Sequence, residues 1–343
     1  MRNGKGNRKG GFGLCTDGSP VLWERANLGE MQSETPHRYG LVTERDAMAK
    51  NVICFVNFKG GVGKTTVAVN VAATLAREPF NKKVLLIDAD AQANASIWAM
   101  GAEQWRKQVM KKPQNTVLQI FRDWEFKTHG FKFPTALVQN PFPIALAPNL
   151  DLLPSTYKMM DAEDLLWRIH PDIPVQQIMS ETLKPFLPIY DVVIIDCPPN
   201  TYRVTQNAIA MSRFIFVPCI PDFLSLVGFK ELVSRLRELG GVLGANFGKV
   251  IPIRGIIVNR YKEGLKAATA GMAELRRAVK DLKNEGTLPP QCELMAPTIK
   301  DTTAFAQAAE QNRPIFVING DPAKEATQQF KELAQKILAA LEN

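Results

Sequence analysis

Apolar residues along this chain fall into two recurring patterns. Short segments built on an unbroken apolar stretch lie at 52–56, 83–88 (Val84 to Ile87), 190–196 (Val192 to Ile195), 214–217 and 254–261 (Ile256 to Val258). Runs of that length with no polar alternation read as strands buried on both faces. Between them lie segments of helical period. One follows residue 64, with Val67, Val71, Ala72 and Leu75 on one side. Others are predicted at 117–124, 162–166, 175–187, 228–239 (closed by Gly240-Gly241), 262–283 and 323–341. The last carries Phe330, Leu333, Ile337, Leu338 and Leu341 on one face, which packs on the core. A short helix is predicted near 43–50, and a pair of short strands at 144–147 and 150–153. Residues 101–150 are the least regular, with aromatic residues set among Lys and Pro. They read as core or as a nucleic-acid surface.

One stretch has a chemical signature. The run at 52–56 ends in a loop with Lys59, Gly60, Gly61, Val62 and Gly63, and Lys64, Thr65 and Thr66 open the next helix. Strand, Gly-rich turn and helix start is the arrangement that holds phosphates. Glycine lets backbone N–H groups turn inward, and the helix N-terminus adds partial positive charge. Lys64 would neutralise the β- and γ-phosphates of ATP, and the Thr65 hydroxyl would sit on Mg²⁺. The usual P-loop pattern wants glycine at 58. Here Phe58 stands there and a second lysine, Lys59, begins the loop.

Composition narrows the classes. The 343 residues are 45% hydrophobic, enough for a large core, and no apolar run approaches the roughly 18 residues that span a bilayer. The N-terminus is basic but has no apolar stretch of the secretory kind. Five cysteines without a C-x-x-C pair argue for a reducing compartment and against a zinc site. Net charge is +8, and residues 230–283 hold twelve Lys/Arg against five Asp/Glu. Such an excess favours a polyanionic partner, nucleic acid or an anionic membrane face. Within that window Arg235, Arg276, Arg277, Lys280 and Lys283 are candidate DNA contacts, with a solvated helix face as the plain alternative. Residues 1–50 form a basic, partly flexible extension, either a loose arm or a partner-binding one, and 51–343 form the P-loop domain.

Two apolar runs end in carboxylates: 83–88 leads into Asp88-Ala89-Asp90, and 190–196 ends at Asp196 before Pro198-Pro199. Acidic residues at the C-terminal ends of parallel strands lie where open α/β sheets bind ligands. Asp88 and Asp90 could equally cap the next helix. Asn259, at the exit of 254–261, could read the edge of adenine or simply turn the chain.

The loop with Lys59, the Asp88–Asn94 segment and the strand ending in Asp196 resemble, in order and spacing, the deviant Walker A ATPases of the ParA/MinD family, especially ParA-type partition ATPases. The resemblance covers 51–341, with 101–150 as an insertion and Ala91 where proline is usual. It implies an α/β fold, a doubly wound, mostly parallel twisted sheet with helices on both faces. It implies that Asp90 positions the attacking water, that Asp88 and Asp196 support Mg²⁺, and that Asn259 and the Pro221 loop meet the base. It further implies a homodimer sandwiching ATP, in which Lys59 reaches the partner's phosphates. The ATP-bound dimer would bind DNA without sequence preference and hydrolyse ATP when stimulated by a centromere-binding ParB-like protein. That cycle would place the protein in the cytoplasm on the nucleoid. A MinD-like membrane cycle, a metabolic or iron-protein-like P-loop enzyme, and positioning of another cargo are the alternatives.

Overall fold

The computed structural model describes residues 49–169, 175–242 and 252–342. Eight strands form one sheet: β1 (Ala49–Phe55), β2 (Val84–Asp88), β3 (Val138–Gln139), β4 (Leu150–Leu153), β5 (Val192–Asp196), β6 (Ser212–Cys219), β7 (Ile253–Val258) and β8 (Glu293–Met295). The helices are α1 (Lys64–Leu75), α2 (Asn94–Met100), α3 (Ala102–Trp105), α4 (Val117–Phe126), α5 (Phe133–Ala136), α6 (Ala162–Arg168), α7 (Ile178–Leu183), α8 (Arg203–Met211), α9 (Phe223–Val242), α10 (Lys266–Asn284), α11 (Ala304–Glu310) and α12 (Asp321–Glu342). Strand order is β3-β4-β2-β5-β1-β6-β7-β8. Only β3 runs antiparallel to its neighbour.

The unbroken apolar runs are explained by two layers of helices. Val52 and Cys54 face one core with Leu85, Ile87, Val193 and Ile195, covered by α4 and α6–α10. Ile53 and Phe55 face the other with Leu86 and Ile194, covered by α1, α2, α11 and α12. Both sides of each central strand are dry, so no polar alternation is tolerated. Each Val, Leu or Ile so buried contributes ~1.5–3 kcal/mol. Helix α12 buries Phe330, Leu333 and Ile337 in this second core, against α1, as its pattern predicts.

Topology fixes the site. From β1 the chain crosses toward β2, and from β5 it crosses the other way to β6, yet β1 and β5 are adjacent. Ligands bind at the C-terminal ends of strands that part in this way. The register sets Phe55 beside Asp196 and Asp196 beside Asp88. Three strand ends are therefore level.

Several expectations are corrected. Residues 144–147 are not a strand: Pro143–Ala145 is a 3-10 turn, and β4 pairs with β3 instead. Segment 101–150 adds the edge strand β3 beside β4, and Trp105, Phe121, Phe133 and Phe142 are buried. These aromatics are core. Lys50, assigned to a helix near 43–50, lies in β1; 43–48 and the rest of the extension fall outside the described residues. Helix α7 is much shorter than 175–187. Helix α9 begins five residues before 228 and continues past Gly240. Lys262 precedes α10, which starts after Gly264, in the left-handed region at φ +77°. Helix α8 and strand β8 have no counterpart in the pattern of the sequence.

Helix α10 lies on the β6–α9 loop through Gly271, where a Cβ would stand 2.1 Å from the Pro221 carbonyl oxygen. That oxygen is backbone and cannot swing away. Gly271→Ala is expected to lower stability by ~1–3 kcal/mol, read from the urea midpoint; an unchanged midpoint would show that this helix is free to move.

Candidate functional site

The loop after β1 turns on Gly61 (φ +75°) and Gly63 (φ +87°), the latter just before α1. No other residue type adopts Gly63's backbone without strain. Space forbids a side chain there as well, since a Cβ would meet the Asn259 amide nitrogen at 2.1 Å. Asn259 Nδ2 donates to the Val62 carbonyl at 2.8 Å, and its Oδ1 is buried without a partner. The Asn259 side chain thus braces the loop and keeps one acceptor free. From the next position, Arg260 (φ +54°) sends Nη1 to the Gly61 carbonyl at 3.1 Å and Nε to Asp301 at 3.2 Å.

These groups open on a cleft of about 510 Å³ lined by Gly60, Lys64, Thr65, Asp90, Asn259 and Phe305 among others. Lys64 is buried, with its ammonium 3.3 Å from the Lys59 carbonyl. Burial lowers its pKa, and the charges of Asp196 and Asp90 act against that shift. Asp196 is fully buried, and neither oxygen meets strict hydrogen-bond geometry, although the Thr65 hydroxyl lies close enough to favour its charge. Burial, then Asp88 beside it, hold this carboxyl well above the usual carboxylate range, while Thr65 and Lys64 favour its charge. A buried carboxylate with open oxygens, next to a threonine hydroxyl, suits a hard divalent cation such as Mg²⁺.

Asp88 is bonded differently. Its Oδ1 accepts from Asp90 N at 3.1 Å, and its Oδ2 accepts from Ser96 N at 2.8 Å and Ser96 Oγ at 2.7 Å. Of the two readings of Asp88, the helix cap describes these bonds, and both oxygens are occupied. Burial nevertheless pushes its pKa up to about 7, against the pull of those bonds. Asp90 lines the cleft, with Oδ1 accepting from Gln92 N at 2.9 Å.

Lys59 points away from its own loop. Its ammonium meets Asp222 Oδ1 at 3.2 Å, Asp222 Oδ2 at 3.3 Å and Ser225 Oγ at 2.9 Å, at the start of α9. Partial burial raises the Asp222 pKa, but bonds from Ser225 and the Lys59 charge outweigh it and hold the carboxyl below its usual range. Pro221 is not among the residues lining the cleft. It lines a separate groove of about 530 Å³ against α10, and Arg260 and Asp301 line both. Among the DNA candidates, Arg276, Arg277 and Lys280 are exposed on α10 and Lys283 is half-buried. Arg235 is paired with Glu231 at 3.4 Å and Glu238 at 3.2 Å.

Sequence reasoning missed Arg260, Thr302 and Phe305 as cleft residues. The positive φ of Arg260 leaves no mark in a strand-exit pattern, and Phe305 reads as ordinary helix core.

A family model described as an AAA domain matches residues 50–246. The chain is 30% identical over 322 residues to the cell division protein PomZ of Myxococcus xanthus, covering 93% of this chain and 84% of that one. It is 30% identical over 224 residues to the chromosome-partitioning ATPase Soj of Treponema pallidum, covering 64% and 75%. In fold it is similar to cobyrinic acid a,c-diamide synthase from Mycobacterium smegmatis, solved with an ATP analogue and magnesium. There the TM-score is 0.61, the identity 20%, and the coverage 86% of this chain and 97% of that one.

Folded Asp196 and Asp88 hold protons to higher pH than unfolded ones, so each withdraws stability as pH rises from the ordinary carboxylate range toward its raised value. For Asp88 that value is about 7. Nucleotide-free Asp196→Asn is therefore expected to melt higher than wild type near neutral pH, with the difference shrinking toward pH ~4. Melting curves across that range check it, and a variant that melts lower near pH 7 would mean the carboxylate is compensated.

Proposed function

The chain belongs to the ParA/MinD family of P-loop ATPases, and from that premise we propose that it is a positioning ATPase. In this reading ATP joins two copies, the joined pair holds DNA without sequence preference, and hydrolysis releases it. The observation that carries this reading is the contrast between the two loop lysines. Lys64 is buried beneath the loop beside Asp196, where it serves a nucleotide of its own subunit. Lys59 is aimed outward and held by Asp222 and Ser225, where it can serve another. A cation supplied in trans at a transferring phosphoryl group is worth ~10³–10⁵ in rate in the best-known cases.

The parts divide as follows. Backbone N–H groups of Gly60–Thr66 and the start of α1 bind the phosphates. Asp196, with Thr65, would hold Mg²⁺, which spreads the charge of the phosphate oxygens. Asp90, on the cleft wall, orients the water that attacks the γ-phosphate. Asn259 Oδ1, buried and unpaired, accepts from the amino group of adenine. Arg276, Arg277 and Lys280, exposed on α10, are the groups offered to DNA phosphates. Arg235, already paired to two glutamates, is the least available. A stimulating ParB-like partner completes the cycle.

Two names among the relatives favour different cargoes. One is a chromosome-partitioning ATPase and one a cell division protein, so a cargo other than DNA is the second reading. A membrane cycle has less support. The apolar stripe of α12 is buried in the core, and no helix among the described residues is long and apolar enough to cross a bilayer.

Binding to a random-sequence duplex is expected with ATP and to weaken with ADP. Reversing the charge of Arg276, Arg277 and Lys280 should flatten its log–log salt dependence by about 0.9 for each phosphate no longer neutralised. Binding that ignores nucleotide would remove the DNA cycle. Lys59→Ala should keep ATP affinity and lose turnover; Lys64→Ala should lose affinity. Turnover unaltered in Lys59→Ala would end the trans assignment.

A further inference from the structure

The Asp90 turn is held by a closed ring of hydrogen bonds, part of it from a strand edge far along the chain. Asp90 N donates to Asp88 Oδ1 at 3.1 Å, and Ser96 Oγ donates to Asp88 Oδ2 at 2.7 Å. Ser155 N donates to Ser96 Oγ at 2.9 Å, and Ser155 Oγ donates to the Asp90 carbonyl at 2.6 Å, which closes the ring. Asp88, Ser96 and Ser155 are fully buried. Ser155 lies just past β4, 65 residues from Asp90. The turn it braces is unusual: Ala93 takes a left-handed backbone (φ +52°), and its N–H shares the Asp90 carbonyl with Ser155. A non-glycine residue in that region is maintained only where its surroundings over-determine it.

The ring has an outer anchor. Trp105 Nε1 donates to the Ser155 carbonyl at 2.9 Å, and Trp105 is itself buried at the end of α3. Immediately after it the chain makes a five-residue π-helical turn, Arg106–Met110, whose widened bonding shifts the helix face at that point. Segment 101–150 is thereby tied to the cleft through one indole.

We propose that Ser155 is a positioning residue for the Asp90 carboxylate, and that Trp105 fixes Ser155 from the other side. The inference rests on the reading of Asp90 as the group that orients the attacking water. Hydrogen-bond loss acts here through geometry, because misplacing an orienting group by about 1 Å costs on the order of 10²-fold in rate. Ser155 is not among the residues lining the nucleotide cleft; it touches the lining only from behind, at the Asp90 carbonyl. Its loss should therefore spare binding.

Steady-state ATP hydrolysis, fluorescent-nucleotide affinity and melting temperature would be measured on Ser155→Ala, Trp105→Phe, Asp90→Ala and the Ser155→Ala/Asp90→Ala pair. Ser155→Ala should lower kcat about tenfold with nucleotide affinity within roughly twofold of wild type. Trp105→Phe, which keeps a ring and removes one donor, should lower kcat by less and carries the test if Ser155→Ala does not fold. On the Asp90→Ala background the serine change should add nothing, because the group it positions is already gone. Unchanged kcat in Ser155→Ala or, failing that, in Trp105→Phe, while Asp90→Ala is inactive, overturns the positioning role alone. So does a full further loss in the double variant. Normal hydrolysis by Asp90→Ala overturns the reading of Asp90 itself and this proposal with it.

Discussion

A carboxylate buried without a partner dominates this structure. Keeping such a group charged out of water costs several kcal/mol even after relaxation, so Asp196, fully buried with its oxygens unpaired, is pushed toward its protonated form. The sheet forces it there. Strand β5 is apolar on both faces until its last residue, and its neighbours β1 and β2 end level with it. Around Asp196 lie a buried lysine and a threonine hydroxyl, which favour its charge, and a second carboxylate, which opposes it. Asp88, by contrast, spends both oxygens on Asp90 and Ser96, at the turn.

The same fold serves a diamide synthase from Mycobacterium smegmatis, so architecture alone does not choose the chemistry. What narrows it lies within the loop. Its first lysine, Lys59, is held by Asp222 and Ser225 at the start of α9, while its second, Lys64, lies buried under the loop. Arg260 contributes differently, by clamping Gly61 from one side and Asp301 from the other, so the wall of the cleft is also the wall of the groove beside α10.

How much of this could be read from the chain depends on whether a feature was local. Strands β1, β2 and β5 were legible because burial on both faces strips them of polar residues. Lys64 and Thr65 stand out through the spacing of the loop, whereas Asp90 and Asp196 draw notice by their places at strand ends together with the family resemblance. Helix α8 was not, since the groups that cap it belong to Glu163, 40 residues earlier, which accepts from Arg203 N and Val204 N. Strand β8 has three residues and an exposed glutamate, too short for a period. The run at 144–147 is apolar but enters from Pro143 into a tight turn, and pairing went to Val138–Gln139. The direction of Lys59 was invisible for the same reason, because Asp222 lies 163 residues away. Asp88 stayed open to two readings because a strand-end carboxylate looks the same whether it faces a metal or a helix.

The grip on Lys59 has a further meaning when its strength is considered. The pair is a third to two-fifths exposed, 33% for the lysine and 42% for the aspartate, and ion pairs so placed contribute at most about 1 kcal/mol. At that strength the pair opens and closes readily in solution. No ligand is needed to pry it loose; thermal motion already does so. The contact with Asp222 and Ser225 therefore holds the side chain at the start of α9 without locking it there.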